Sequence, residues 1–367
     1  MPEKQTIRVA IAGVGNCASS LIQGAGYYAS RRGDTVGLMH ETIGQWSVGD
    51  IEVVCAFDID SRKVGRRLTD AIFSPPNNTH QFFVPLPGRG PIVQMGPVLD
   101  GVPDHMADYP QQSRFDVSRS NTVDVVKVLR ESGAEILVNY MPVGAQEATE
   151  FYAGAALEAG VALLNCVPVF IASDASWAAK FVAAGLPCVG DDVKAQLGAT
   201  ITHRMLGRLL ADRGVRMDAT YQLNTGGNTD FLNMLSRDRL TSKRQSKTGA
   251  VQSQIDPPLD PGQIHIGPSD YIPFLRDNKV CFMRIDGTGF GGVPLSLELK
   301  LSVEDSPNSA GVVVDAIRCC KLALDAGLKG PIEPVCAWLM KHPPRQMPDA
   351  DARLLVEKFI DEHSGAS

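Results

Sequence analysis

The chain has 367 residues, enough for two domains and a large core. A formal net charge of −6 argues against general nucleic-acid binding, and no apolar stretch reaches the ~18 residues needed to span a membrane. The start, Met1-Pro2-Glu3-Lys4-Gln5, carries no apolar signal region, so the expected location is the cytoplasm. From the N-terminus, Thr6 to Ala12 is rich in β-branched residues and predicts a strand, with a turn over Gly13 to Asn16. Cys17 to Gly26 predicts a helix whose small residues allow close approach to a sheet. An irregular insertion runs from Tyr27 to Asp50. Ile51 to Phe57 predicts the second strand, ending at Asp58. Helices are then expected over Thr122 to Ser132, Gln146 to Ala159 and Asp174 to Ala184. They alternate with strands over Ile136 to Tyr140, Ala162 to Cys166 and Pro187 to Gly190. Such alternation with apolar strands implies a parallel sheet covered on both faces.

After Gln196 the alternation stops. Helices are expected at Ile201 to Leu210 and Phe231 to Leu240. Strands are expected at Met217 to Leu223, Val280 to Ile285 and Leu295 to Val303. The polar, Pro-rich stretch Gln252 to Gly262 reads as an exposed loop. Pro307 to Ala326 resumes a helical period, with Gly327 as stop signal. That helix and the C-terminal tail are expected to return to the first domain. The fold class is therefore α/β: a Rossmann-like domain over 1–198 plus 304–367, and a central α+β domain over 199–303. The eight cysteines form no C-x-x-C pair and most sit in apolar runs, so reduced, buried thiols are expected. The seven histidines are dispersed, and no ligand cluster for a metal is visible.

Several short motifs carry chemistry. Gly13-Val14-Gly15-Asn16 follows a strand, and such a loop lets backbone N–H groups approach a pyrophosphate at a helix N-terminus. Asp58, 45 residues beyond Gly13, is expected on the ribose hydroxyls, with the insertion explaining the long spacing and the charge favouring NAD over NADP. An ordinary turn with a solvated Asp is the plain alternative. Asn77-Asn78-Thr79 offers amides and a hydroxyl to ribose or nicotinamide, or is simply a loop. Lys194-Ala195-Gln196 precedes a helix start, where free N–H groups and an ammonium suit a phosphate. Asp191 and Asp192 would repel that phosphate unless one faces elsewhere. Lys243, Lys247, Lys279 and Lys341 each read singly as surface lysines. Gathered in a pocket, they would stabilise an enolate and move protons. Asp305-Ser306-Pro307 equally suits a helix start.

Taken together and in order, these segments resemble the myo-inositol-phosphate synthase family in its short actinobacterial form. The resemblance runs from about Arg8 to Pro344. It rests on Gly13 to Ser20, Asp58, Asn77-Asn78-Thr79, Gly190-Asp191-Asp192-x-Lys194 and Asn224-x-x-Gly227-Asn228-x-Asp230. Ser242-Lys243-x-x-Ser246-Lys247, Lys279, Asp305 to Ser309 and Leu339-Met340-Lys341 complete it. It implies conversion of D-glucose 6-phosphate to 1D-myo-inositol 3-phosphate by oxidation, enolisation, aldol closure and re-reduction, with NAD as cofactor. It also implies Lys243 as proton shuttle at the C5 hydroxyl, and Lys279 and Lys341 on the carbonyl and enolate oxygens. Asp192 and Asp305 would orient lysines and contact the nicotinamide side. Lys194, Ala195, Gln196 and Lys247 would hold phosphate, and Asn224, Asn228 and Asp230 sugar hydroxyls or cofactor. Gly13, Gly15, Asn16, Cys17, Asp58, Asn77 and Asn78 would complete the cofactor site. A homotetramer is implied, and an activating cation, ammonium or divalent metal, is left open. Ala195 stands where the family usually has Ser, and Arg66-Arg67 where relatives tend to carry an acid. A plain NAD(P) dehydrogenase and a non-catalytic NAD- or sugar-phosphate-binding protein remain the competing readings.

Overall fold

The computed structural model describes residues 5–31 and 33–365. Seven strands form one all-parallel sheet: β1 (Ile7–Ala12), β2 (Ile51–Asp58), β3 (Val93–Met95), β4 (Ile136–Asn139), β5 (Ala162–Asn165), β6 (Pro187–Val189) and, late in the chain, β11 (Gly330–Pro331). Their spatial order is β11-β6-β5-β4-β1-β2-β3. The order reverses between β1 and β4, the switch point at which doubly wound sheets bind ligands. Helices α1 (Asn16–Ser30), α2 (Val125–Ser132), α3 (Gln146–Ala159) and α4 (Ala175–Ala184) connect the strands. Strands β4 and β5 are buried at every residue, and β1 at every residue but Arg8. Their apolar runs are what a sheet covered on both faces requires.

The second part is built on α5 (Ala199–Asp212), β7 (Arg216–Gly226), α6 (Thr229–Asn233), α7 (Thr241–Gln252), β8 (Ile264–Tyr271), β9 (Asn278–Thr288) and β10 (Pro294–Glu304). Its four strands are ordered β8-β7-β9-β10, with β8 parallel to β7 and the others antiparallel. The chain then returns through α8 (Asp305–Asp325), α9 (Glu333–Leu339) and α10 (Asp349–His363). Val313, Ile317 and Cys320 of α8 share one core with Leu21 of α1 and with Ile7, Val9 and Ile11 of β1.

The expected strands and helices of the first sheet are present, with ends shifted by a few residues. Other elements differ from expectation, and β3, β11, α9 and α10 were not expected at all. The first helix runs on to Ser30, and the insertion beyond it holds a hairpin of Thr42–Ile43 with Trp46–Ser47. The expected helix from Phe231 to Leu240 is two pieces, α6 and a 3-10 turn over Arg237–Leu240. Strand β8 lies just beyond the expected loop of Gln252 to Gly262, where no element was expected, because Gly267 and Pro268 break its pattern. Helix α7 was hidden by polar composition. Among the described residues all eight cysteines are free thiols, and no helix is long and apolar enough to cross a membrane.

Candidate active site

A long cleft opens at the carboxyl ends of β1, β2 and β4 and extends under the second sheet. Gly13 lies at φ +95°, and a Cβ there would sit 2.6 Å from the Tyr140 carbonyl oxygen, so only glycine fits the turn. At Gly15 a Cβ would meet nothing within 4 Å, so this backbone is open to the cleft just ahead of α1. The first N–H groups of such a helix lack intrahelical partners. Asp58 ends β2 and holds this turn. Its Oδ2 accepts from the Val14 N–H at 2.8 Å, and its Oδ1 from the N–H groups of Ile59 and Asp60. Lys63 lies 3.7 Å from Asp58 and donates to Asn77 Oδ1 at 2.9 Å. Asn77 donates in turn to the carbonyls of Val14 and Ile72. Asn16 accepts from the N–H groups of Asn78 and Thr79 and donates to Asn78 Oδ1. Cys17 lines the same end; burial and the nearby Asp277 push its thiol up to about 12, so it is not a thiolate.

The other end carries four lysines from three separate segments. Lys243 and Lys247 are one turn apart on α7, Lys279 begins β9, and Lys341 follows α9; all four line the cleft. Three have carboxylate partners: Lys341 donates to Asp192 Oδ1 at 2.7 Å, Lys279 to Asp305 Oδ1 at 2.9 Å, and Lys243 to Asp230 Oδ2 at 3.4 Å. Ser246 donates to the second Asp192 oxygen at 2.7 Å. Lys247 is only 5% exposed and has no hydrogen-bond or ion-pair partner among the described residues.

The electrostatics follow from this pairing. Burial raises the carboxyls of Asp192 and Asp305, but Lys341 and Lys279 more than offset it, leaving both below the usual carboxylate range. Burial lowers Lys279, and Asp305 overrides it, so this ammonium is held above its ordinary value. Lys247 is pushed well below an ordinary lysine, first by burial and then by Lys279, Lys243 and Lys341, with Asp192 opposing. Such a site favours an anion between the lysines and has charge ready for oxygens that become negative.

Comparisons with known proteins give the family. The family described as myo-inositol-1-phosphate synthase matches residues 198–306, the stretch that carries Asn228, Lys243, Lys247, Lys279 and Asp305. The inositol-3-phosphate synthase of Corynebacterium glutamicum is 54% identical and covers 97% of this chain and 99% of its own. The chain belongs to the inositol-3-phosphate synthase family. The synthase of Mycolicibacterium smegmatis is 53% identical over 97% of this chain and 98% of its own. The crystal structure of Ari2, 36% identical, covers 99% of both chains with a TM-score of 0.78. As a member of the family the chain is an isomerase-type enzyme, an intramolecular lyase.

In this synthase three expected site residues point elsewhere. Lys194 does not reach the cleft. Its ammonium is buried and donates to the carbonyls of Ala337 and Trp338 and to Asp349 Oδ1 at 2.8 Å. All three donors are used, so the phosphate role expected of this side chain is corrected to an internal ion pair. Gln196 donates to the Gly37 carbonyl at 2.6 Å and lies against Gly311, which takes it out of the expected phosphate set. Asn224 is fully buried within the second sheet, donating to the Gly267 carbonyl and accepting from Gln222. Gln222 lines the cleft in its place. Ala195 lines the cleft with Gly198, Ala199 and Thr200 at the start of α5. Asp191 and Asp192 diverge as the charge argument required. Asp191 accepts from Asn165, Ile171, Ala172 and Ser173, and burial pushes its carboxyl up to about 6.

Asp277 was missed by sequence reading. Buried between the two ends of the cleft, it accepts from Asn16, from the Asn228 side chain, and from the N–H and hydroxyl of Ser306. Asn228 also caps α6 by accepting from the N–H groups of Asp230 and Phe231. Asp277 thus joins the start of α1, the cap of α6 and the start of α8. Its only sequence signal is an acid two residues before Lys279. Arg239 also went unread, since it sits in a segment that looks merely polar.

Proposed function

We propose that this synthase converts D-glucose 6-phosphate to 1D-myo-inositol 3-phosphate with NAD as catalytic cofactor. The observation that carries the reading is Lys247: a buried lysine with no hydrogen-bond or ion-pair partner among the described residues, pushed well below its ordinary value among three more lysines, is a group whose charged form a bound anion would restore. A substrate phosphate supplies one. Lys247 and the backbone from Ala195 to Thr200 are the groups that would hold it.

The residues at the other end fit a dinucleotide. The Gly13 turn admits no side chain, Gly15 opens on the N-terminus of α1, and Asp58 ends β2 beside them. An acid there accepts from ribose hydroxyls and repels a 2′-phosphate, which favours NAD over NADP. Asn16, Cys17, Asn77, Asn78, Asp192 and Asp230 are the further cofactor candidates. NAD, when bound, supplies a hydride acceptor for C5 and returns the hydride later in the same turnover.

The chain's own groups handle the protons and the charge. Lys243 takes the C5 hydroxyl proton as it passes its own to Asp230 behind it. The new ketone acidifies C6, and transfer of that proton to a lysine amine lining the cleft builds negative charge on the C5 oxygen. Lys279, held above its ordinary value by Asp305, and Lys341, paired with Asp192 although burial lowers it, stabilise this enolate oxygen and then the C1 oxygen as C6 attacks the aldehyde. Asn228 orients the substrate or cofactor from the cap of α6.

We further propose a cytoplasmic homotetramer divided at 1–198 plus 304–367 and 199–303. Tyr221, Leu223 and Phe282, exposed together on the second sheet, support an assembly face. The deciding experiment incubates the protein with glucose 6-phosphate and NAD+ and follows products by phosphorus NMR. Inositol phosphate should form without accumulation of NADH. A steady rise in NADH absorbance would make the protein a plain dehydrogenase.

A further inference from the structure

Arg239 lies in the 3-10 turn that leads directly into α7, four residues before Lys243. Its guanidinium leaves its own segment. Nη2 donates to the carbonyls of Asp100 and Gly101 at 2.5 and 3.2 Å, and Nη1 to Asn233 Oδ1 at 3.4 Å. The carbonyls belong to the loop after β3, where Pro97, Val98 and Leu99 wall the cofactor end of the cleft. That loop is also fixed at its base, because the Asp100 carboxylate accepts from the N–H groups of Glu147 and Ala148 at the start of α3. Asn233, the third partner, is fully buried and donates to the Val143 carbonyl at 2.7 Å. The Val143 N–H donates to Asp230, the partner of Lys243.

The path of the side chain is also shaped. It crosses Gly144, where a Cβ would lie 2.5 Å from Arg239 Cβ and 2.8 Å from its Cγ. Gly144 is at φ +84°, so the crossing point is a residue that only glycine fills easily. A guanidinium holds two carbonyls and an amide at once because its donors form a rigid fork; an ammonium is a single point.

We propose that Arg239 is a positioning residue, a clasp that fastens the helix bearing Lys243 and Lys247 to the loop walling the cofactor end of the cleft. The inference rests on the reading above, in which Lys243 moves the C5 proton. Through the clasp, occupancy of the cofactor end and placement of the proton-shuttling lysine become one event. Arg239 acts on the reaction through Lys243 and Asp230, without touching the reacting atoms.

The test uses Arg239→Met, which keeps the stem over Gly144 and removes the donors, and Arg239→Lys, which keeps one point donor. Leu240 remains buried with Val143, Phe231 and Leu232, so the segment retains its apolar anchor in both variants. Steady-state kinetics per NAD-binding site, NAD+ titration and hydrogen exchange over 237–252 are measured for parent and variants. In Arg239→Met, kcat should fall about tenfold or more while the KM for glucose 6-phosphate moves less than about threefold, since small misplacement of a reacting group costs rate more than binding. Exchange at 241–252 should be faster than in the parent without cofactor, and the protection that NAD+ confers there should disappear. Arg239→Lys should fall between, and added guanidinium should restore part of the lost kcat of Arg239→Met. Parental kcat and parental exchange in Arg239→Met would overturn the clasp. So would a large loss of NAD+ affinity with unchanged kcat at saturation, which would make Arg239 a direct cofactor contact. If the parent itself neither binds NAD+ nor turns over, the functional reading fails, and exchange without cofactor still decides the clasp.

Discussion

Lys279 and Asp305 meet at 2.9 Å across 26 residues because a hairpin folds back on itself without a slip. Asn278 pairs with Glu304, and every residue up to Thr288 opposite Pro294 keeps step. Asp305 follows Glu304 directly and begins α8, so its carboxylate arrives beside the ammonium at the other end of the hairpin. A one-residue change in register would turn every side chain of β10 to the opposite face.

That contact makes Lys279 the clearest single test of the lysine site. Lys279→Met keeps an unbranched stem and removes the charge. Loss of charge stabilisation at a developing oxyanion should cost ~10²–10³ in kcat. NAD+ affinity should stay near parental, since the glycine turn and Asp58 are untouched. A folded variant with near-parental turnover would remove Lys279 from the chemistry.

Asp58→Ala should weaken NAD+ binding by about 1.5–3 kcal/mol, the range for a hydrogen bond to a charged group. The structure adds a second reason. The carboxylate also holds the Val14 N–H, so the glycine turn loses its anchor. Calorimetric titration of NAD+ into parent and variant gives the difference directly; equal affinities would place the ribose elsewhere.

Lys194→Met should reduce stability and leave the KM for glucose 6-phosphate alone. Its ammonium shares Asp349 with Arg204 inside the protein, at 2.8 and 2.7 Å. Breaking a buried pair costs about 3–5 kcal/mol, and Arg204 lessens this because it still neutralises Asp349. Urea denaturation and substrate kinetics on the same preparation separate the outcomes. A raised KM with unchanged stability would return Lys194 to the phosphate site.

The insertion is fastened to the C-terminal helices through His40, which contacts Asp315 at 2.5 Å and Glu357 at 3.3 Å. The hydrogen bond to Asp315 is the largest influence and holds His40 above its ordinary value, with burial opposing. A group whose folded value is raised stabilises the fold fully below its unfolded value, about 6.5 for histidine, and ceases to do so as pH climbs through the folded value. Thermal melts of the parent and His40→Gln should therefore differ most in mild acid and converge as pH rises. A gap that widened with alkali would show that His40 is not held by its carboxylates as a cation.

Much of this was legible without coordinates. The strand, glycine turn and helix at the N-terminus, Asp58 at the end of the second strand, and the four lysines all depend on local pattern and residue type. What stayed hidden had local signals that conflict or are silent. Strand β8 contains Gly267 and Pro268, and its pairing shifts register between Pro268 and Asp270. Helix α7 presents lysines to a cleft, so its inward face has only Ala250 and Val251 as buried apolar residues. Arg239 and Asp277 are ordinary polar residues until their partners, up to 261 residues away for Asp277, are folded against them.

The sequence by itself determined the parallel sheet, the phosphate-type turn and a family whose chemistry needs several ammonium groups, because periodicity and turn stereochemistry act over a few residues. Only the tertiary structure decided which charge faces which. Asp191 and Asp192 are neighbours in the chain, yet one secures the loop at 171–173 and the other holds Lys341. Lys194 belongs to the same short motif, yet its partner Asp349 is 155 residues away. A buried charge must find a counter-charge or hydrogen bonds wherever packing supplies them. No local rule names that partner; the packing of α9 and α10 against each other does.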